Sequence, residues 1–151
     1  MNKEIYNDIA TCNMLDAIDC AAADVKSSIL DTQDFESALI VVDYGVMTGG
    51  DASNYVTAVL QESDTTVDGD FTTVGSTDKI GSFVAITAAL ANYSDEQKVA
   101  YIGTKRYVRV LLDYTISGGG APVTALLASV LGLMSNARIG PPSEVAPTAA
   151  T

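Results

Sequence analysis

Asp64, Asp68 and Asp70 lie close together in one polar stretch, and carboxylates on a flexible backbone are what Ca²⁺ takes as ligands. Their spacing is not that of an EF-hand loop. A turn in which Asp side chains bond their own backbone accounts for the same residues, so no metal or other cofactor is expected. Lys105, Arg106 and Arg109 form a second group, three of the chain's eight basic residues within five positions. They could pair with carboxylates on adjacent strands, or meet an acidic patch on a second copy or on a partner protein.

The 151 residues contain no His, which removes the commonest general base and zinc ligand and excludes Ser–His, Cys–His and His–metal mechanisms. Paired carboxylates for glycoside hydrolysis need a set separation, and 19 acids spread along the chain mark no pair. Gly118–Gly120 lies between two strand-like runs and opens no helix that could hold a phosphate. Cys12 and Cys20, the only cysteines, make neither a CxxC motif nor a metal set, and are expected to be reduced thiols. No activated group is assembled, and the chain is expected not to be an enzyme.

A net charge of −11 repels polyanions, so nucleic acid is not an expected partner. The N-terminus has no apolar signal-like run, and no apolar stretch of about 18 residues occurs, so neither secretion nor membrane insertion is expected.

The elements that must position these residues read as strands. Composition is 48% hydrophobic and rich in Val, Ile, Thr and Tyr, enough for one core. Residues 1–23 are too often broken by Asn and Asp for a regular element and are set apart as an extended N-terminal arm. The arm's apolar residues Ile5, Tyr6, Ile9, Met14 and Leu15 are candidates for contact with their own domain or with a neighbour.

Residues 24–137 form the domain. A short strand at Asp24–Asp31 precedes Ser37–Met47, which is apolar on both faces and therefore central. After the Thr48-Gly49-Gly50-Asp51 turn, Tyr55–Ser63 alternates cleanly and should pair with it as a hairpin. Phe71–Val74 and the first half of Gly81–Asn92 add strands. Lys98–Ile116 carries the longest alternation, with Arg109 on the face opposite Val108 and Val110. Val123–Met134 is an apolar run that periodicity cannot assign to α or β, and antiparallel return is the economical reading. Residues 138–151, with Pro141, Pro142 and Pro147, read as a Pro-rich C-terminal tail. The whole is all-β, an antiparallel two-sheet β-sandwich of jelly-roll type.

The runs Phe35-Glu36-Ser37-Ala38-Leu39-Ile40-Val41-Val42, Leu60-Gln61-Glu62-Ser63-Asp64 and Tyr101-Ile102-Gly103-Thr104-Lys105-Arg106-Tyr107-Val108-Arg109-Val110, with the opening Ile5-Tyr6-Asn7-Asp8-Ile9, resemble a family of small tailed-phage head-associated virion proteins. The resemblance touches most of the chain up to about Leu133 and carries no catalytic motif. It implies a structural virion protein, a capsid cement or decoration protein made in the host cytoplasm. Such a protein would sit on the capsid exterior and bridge major capsid protein subunits, as a homo-oligomer (dimer or trimer). Ile5, Tyr6, Ile9, Met14, Leu15, Lys105, Arg106 and Arg109 are the candidate interface. The competing expectation is a carbohydrate-binding β-sandwich module using Tyr55, Tyr93 and the Asp64–Asp70 loop, although no Trp is present to stack on a sugar ring.

Overall fold

The computed structural model describes residues 8–21, 23–87, 95–117 and 120–137. Two antiparallel sheets face one another. The first holds β1 (Ile9–Asp19), β4 (Phe35–Tyr44), β8 (Lys79–Ile80), β9 (Asp95–Tyr101) and β12 (Leu127–Ala137), in the order β1-β12-β4-β9-β8. The second holds β2 (Val25–Lys26), β3 (Leu30–Asp31), β6 (Asn54–Ser63), β7 (Thr72–Thr73) and β10 (Tyr107–Ile116), in the order β2-β10-β6-β7 with β3 also on β10. A short ribbon pairs β5 (Thr48–Gly49) with β11 (Val123–Ala125). The first long strand lies beside the last and the chain alternates between sheets, which is the winding of a jelly roll.

Alternation builds the core. Ile40, Val42 and Tyr44 of β4, Val56, Ala58 and Leu60 of β6, Val108, Val110 and Leu112 of β10, and Ala128, Val130 and Met134 of β12 are all buried between the sheets. Each large aliphatic side chain so placed contributes on the order of 1.5–3 kcal/mol.

Several expectations need correction. β4 and β6 are not a hairpin, because they belong to opposite sheets. The segment between them carries the chain across the sandwich, with Met47 buried and with Gly49 and Gly50 at φ +78 and +80, a left-handed backbone that suits glycine. An added Cβ at Gly49 would lie 2.2 Å from the Pro122 carbonyl oxygen. The antiparallel return after β10 fails for the same reason: β12 is extended, but it pairs with β1 and β4 in the other sheet. The Lys98–Ile116 run divides into β9 and β10, again in different sheets. Of the strand expected in the first half of Gly81–Asn92, the described residues show only an isolated bridge between Ile86 and Val56.

The arm is extended, yet residues 9–19 are an edge strand of the first sheet rather than a segment outside the domain. Ala10, Cys12 and Met14 alternate into the core, and Ile9 to Asp19 pairs with Ser135 to Leu127, so the backbone groups on that side find partners. The register slips between Asn13 and Leu15 and again between Leu15 and Ile18, which is where the sequence looked irregular. Cys12 and Cys20 are both buried and share no disulfide. Residues 138–151 lie outside the described residues.

Candidate interaction surfaces

The basic group is placed at one end of the second sheet, and the chain's own acids answer it. Lys105 is ion-paired to Asp64, and Arg106 grips Asp31 of β3, its Nε and Nη2 donating to both carboxylate oxygens at 2.7 to 3.2 Å. The Asp64 carboxylate raises the Lys105 ammonium and the Asp31 carboxylate raises the Arg106 guanidinium above their usual values, each chiefly through its hydrogen bond. Both basic side chains stay about half exposed. Arg106 also lies 4.9 Å from the Tyr107 ring centre.

Arg109 behaves differently. On the outer side of β10 its side chain is only 3% exposed. The turn at Asp68–Asp70 and Phe71 folds over it. Its Nε donates to Gln61 Oε1 at 2.9 Å, its Nη1 to Asp68 Oδ1 at 2.5 Å, and the Phe71 ring covers the guanidinium at 4.1 Å. Lys26 donates to Asp68 as well, at 2.7 Å, and the Lys26 and Arg109 bonds hold the Asp68 carboxyl below the usual carboxylate range. Asp70 accepts from the Thr65 hydroxyl at 2.5 Å. The acidic loop is thus bound to this chain's own donors. Among the described residues no group of three or more His, Cys, Asp or Glu is placed to hold a metal ion.

The other sequence-predicted contact residues scatter. Ile5 and Tyr6 lie outside the described residues. Ile9 is half-buried on the rim of a groove, Leu15 is half-buried against the core, and Met14 is 1% exposed inside it. Met14 and Arg109 are therefore interior residues and leave the candidate interface. For the sugar-binding expectation, Tyr55 is half-buried on the outer face of β6 and Tyr93 lies outside the described residues.

The surface that sequence reading missed is the outer face of the first sheet. In register across it stand Leu133, Leu39, Ala100 and Ile80; the next row is Leu131, Val41 and Lys98, and the next Ser129, Asp43 and Glu96. Leu131 is 39% and Ile80 64% exposed, and Leu39, Val41, Ala100 and Leu133 are half-buried. A groove of about 200 Å³ lies among Ile9, Ser37, Leu39, Ala100, Leu133 and Ser135. The matching face of the second sheet is more polar: Arg109 beside Gln61, Asp113 beside Thr57, and Leu111 beside Val59. A signal was present, since β4 is apolar on both faces, and an antiparallel strand open to water on one side alternates with polar residues.

No family model matches the chain, and no curated protein matches it. Solved structures give likenesses of shape at low identity. The SPBc2 prophage-derived protein YomS overlays with a TM-score of 0.43 at 12% identity, covering 85% of this chain and 94% of that one. The CBM22-1 xylan-binding domain of Paenibacillus barcinonensis Xyn10C gives 0.42 at 11%, over 85% of each chain. The N-terminal cellulose-binding domain of Cellulomonas fimi β-1,4-glucanase C gives 0.40 at 12%, over 89% of this chain and 95% of that one. Likenesses of this depth say nothing of what this chain binds.

Proposed function

We propose that this chain is a structural virion protein, a cement or decoration protein on the outer surface of a tailed-phage head, and that it acts by covering protein surface rather than by chemistry. The observation that carries this reading is the aliphatic outer face of the first sheet on a jelly roll of net charge −11. Leu39, Val41, Leu131 and Leu133 side by side are the kind of contiguous patch that marks a protein contact. The resemblance of the Phe35–Val42, Leu60–Asp64 and Tyr101–Val110 runs to head-associated virion proteins supports the choice of partner, the major capsid protein. The acidic charge supports the outside of a shell over a DNA-filled interior. Lys105 and Arg106, half-exposed at the end of the second sheet, remain available to the shell.

Co-sedimentation tests this reading. The purified chain should pellet with empty heads of the phage that encodes it and saturate them, and a chain that stays in the supernatant at every head concentration would overturn the proposal.

A further inference from the structure

Asp68 and Gly69 are the chain's only Asp-Gly pair, and no Asn-Gly pair occurs. We infer that this pair is the chain's site of isoaspartate formation, and that the grip of Arg109 and Lys26 on Asp68 keeps the site from reacting in the folded molecule.

The reaction needs no second molecule but water. The Gly69 amide nitrogen attacks Asp68 Cγ, an N–Cγ bond forms, and the amide proton leaves with the carboxyl hydroxyl as water, which gives a succinimide ring. Water then reopens the ring. Attack at Cγ restores aspartate, whereas attack at the former main-chain carbonyl carbon leaves the backbone running through Cγ, which is isoaspartate. A following residue without a side chain leaves the first attack unhindered. Gly69 is exposed, and a Cβ built on it would meet nothing within 4 Å. It sits in the single helical turn Asp68–Asp70, where the Asp70 N–H donates to the Val67 carbonyl at 3.1 Å. The amides ahead of that bond, Gly69's included, have no acceptor within the turn.

Two restraints oppose ring closure. Closure needs rotation about the Cα–Cβ and Cα–C bonds of Asp68, to carry its carboxyl carbon onto the next nitrogen. One guanidinium holds both ends of that rotation: Arg109 Nη1 donates to Asp68 Oδ1 at 2.5 Å and Nη2 to the Asp68 main-chain carbonyl at 3.3 Å. The guanidinium is itself fixed by Gln61 and by the Phe71 ring above it. The second restraint is charge. Water leaves Cγ readily only from the neutral acid, and Lys26, donating to both carboxylate oxygens at 2.7 and 3.0 Å, joins Arg109 in holding the carboxyl ionised. The product cannot reseal the site, because isoaspartate carries its carboxylate on a lengthened backbone and no longer meets both cations from the same position. Each event therefore releases the Phe71 turn for good.

Ageing of the full chain tests this inference, and its outcome is independent of head binding. The chain is held for weeks in mildly acidic buffer, folded or in urea, and isoaspartate at residue 68 is counted by peptide mapping with electron-transfer fragmentation. Folded wild type should accumulate it at least about 10-fold more slowly than the chain in urea. Arg109→Lys keeps the charge but loses the two-point hold, and Lys26→Ala removes a cation from the surface; both should speed the reaction with the fold intact by circular dichroism. Gly69→Ala should suppress it in urea, and it folds without strain because Gly69 lies outside the left-handed region. Equal rates in the folded and urea-treated chain, a folded rate indifferent to both Arg109→Lys and Lys26→Ala, or isoaspartate forming first at another residue would overturn the inference.

Discussion

Tyr101 of β9 donates its hydroxyl to Glu62 Oε2 of β6 at 2.7 Å, so a residue of the first sheet is tied directly to a residue of the second. The Tyr101 hydroxyl oxygen in turn accepts the Lys105 N–H at 2.9 Å and so holds the start of the basic segment in place. Tyr101→Phe removes both bonds while keeping the ring. Hydrogen bonds to charged groups contribute about 1.5–3 kcal/mol, and urea unfolding of the variant should show a loss of that order with the same secondary structure by circular dichroism. An unchanged midpoint would mean that the two sheets are held by the aliphatic core alone.

Alkaline pH should reveal the same residue. Burial, then Glu62, pushes the Tyr101 hydroxyl well above its usual value, and burial does the same to Tyr44. A folded-state pKa above the unfolded one means that the stabilisation is whole below about pH 10 and is lost as pH rises beyond it. Absorbance titration should therefore show Tyr44 and Tyr101 ionising only as the chain unfolds.

Acid should act on Asp68. Its carboxyl is held below the usual range by Lys26 and then Arg109, so the stabilisation it contributes is present above about pH 4 and lost as pH falls further. Freed from Asp68, the Phe71 turn should loosen from Arg109, and amide exchange across residues 64–71 should rise before the core strands open.

Arg109 itself should prove structural. Arg109→Ala takes away the bonds to Gln61 and Asp68 and the surface under Phe71, and should cost about 1–3 kcal/mol by thermal or urea unfolding. Head binding per folded molecule should stay the same, whereas Lys105→Glu with Arg106→Glu should lower binding and leave the unfolding midpoint nearly unchanged, because exposed ion pairs contribute little.

Cys20 should be inert in the folded chain. Burial pushes its thiol up to about 11, and its Sγ donates to the Leu126 carbonyl at 3.1 Å. Iodoacetamide at pH 8 should label it only at the rate of unfolding, followed by mass spectrometry.

Period-2 alternation revealed the fold class, the long strands and even the jelly roll, because inward and outward positions are local properties of the chain. Pairing was not legible in the same way. Ile9 lies beside Ser135 and Phe35 beside Ala137, so the neighbours that define the sheets come from opposite ends of the sequence, and each short turn that invited a hairpin instead moves the chain to the other sheet. One clue lay unused. Val99 and Tyr101 point inward at odd positions, and Val108, Val110 and Leu112 at even ones, so the run from Lys98 to Ile116 changes phase and cannot be one strand. The basic cluster was legible, but its partners, Asp31, Asp64 and Asp68, were not, since only the winding brings the three acids to one end of β10.

Saturation of intact heads tests the central claim most directly. Heads incubated with the chain and imaged by cryo-electron microscopy should show added density at regular positions on the outer surface, saturating at a fixed number of copies per capsid. Bare heads at saturating concentration, or density only inside emptied shells, would contradict the account.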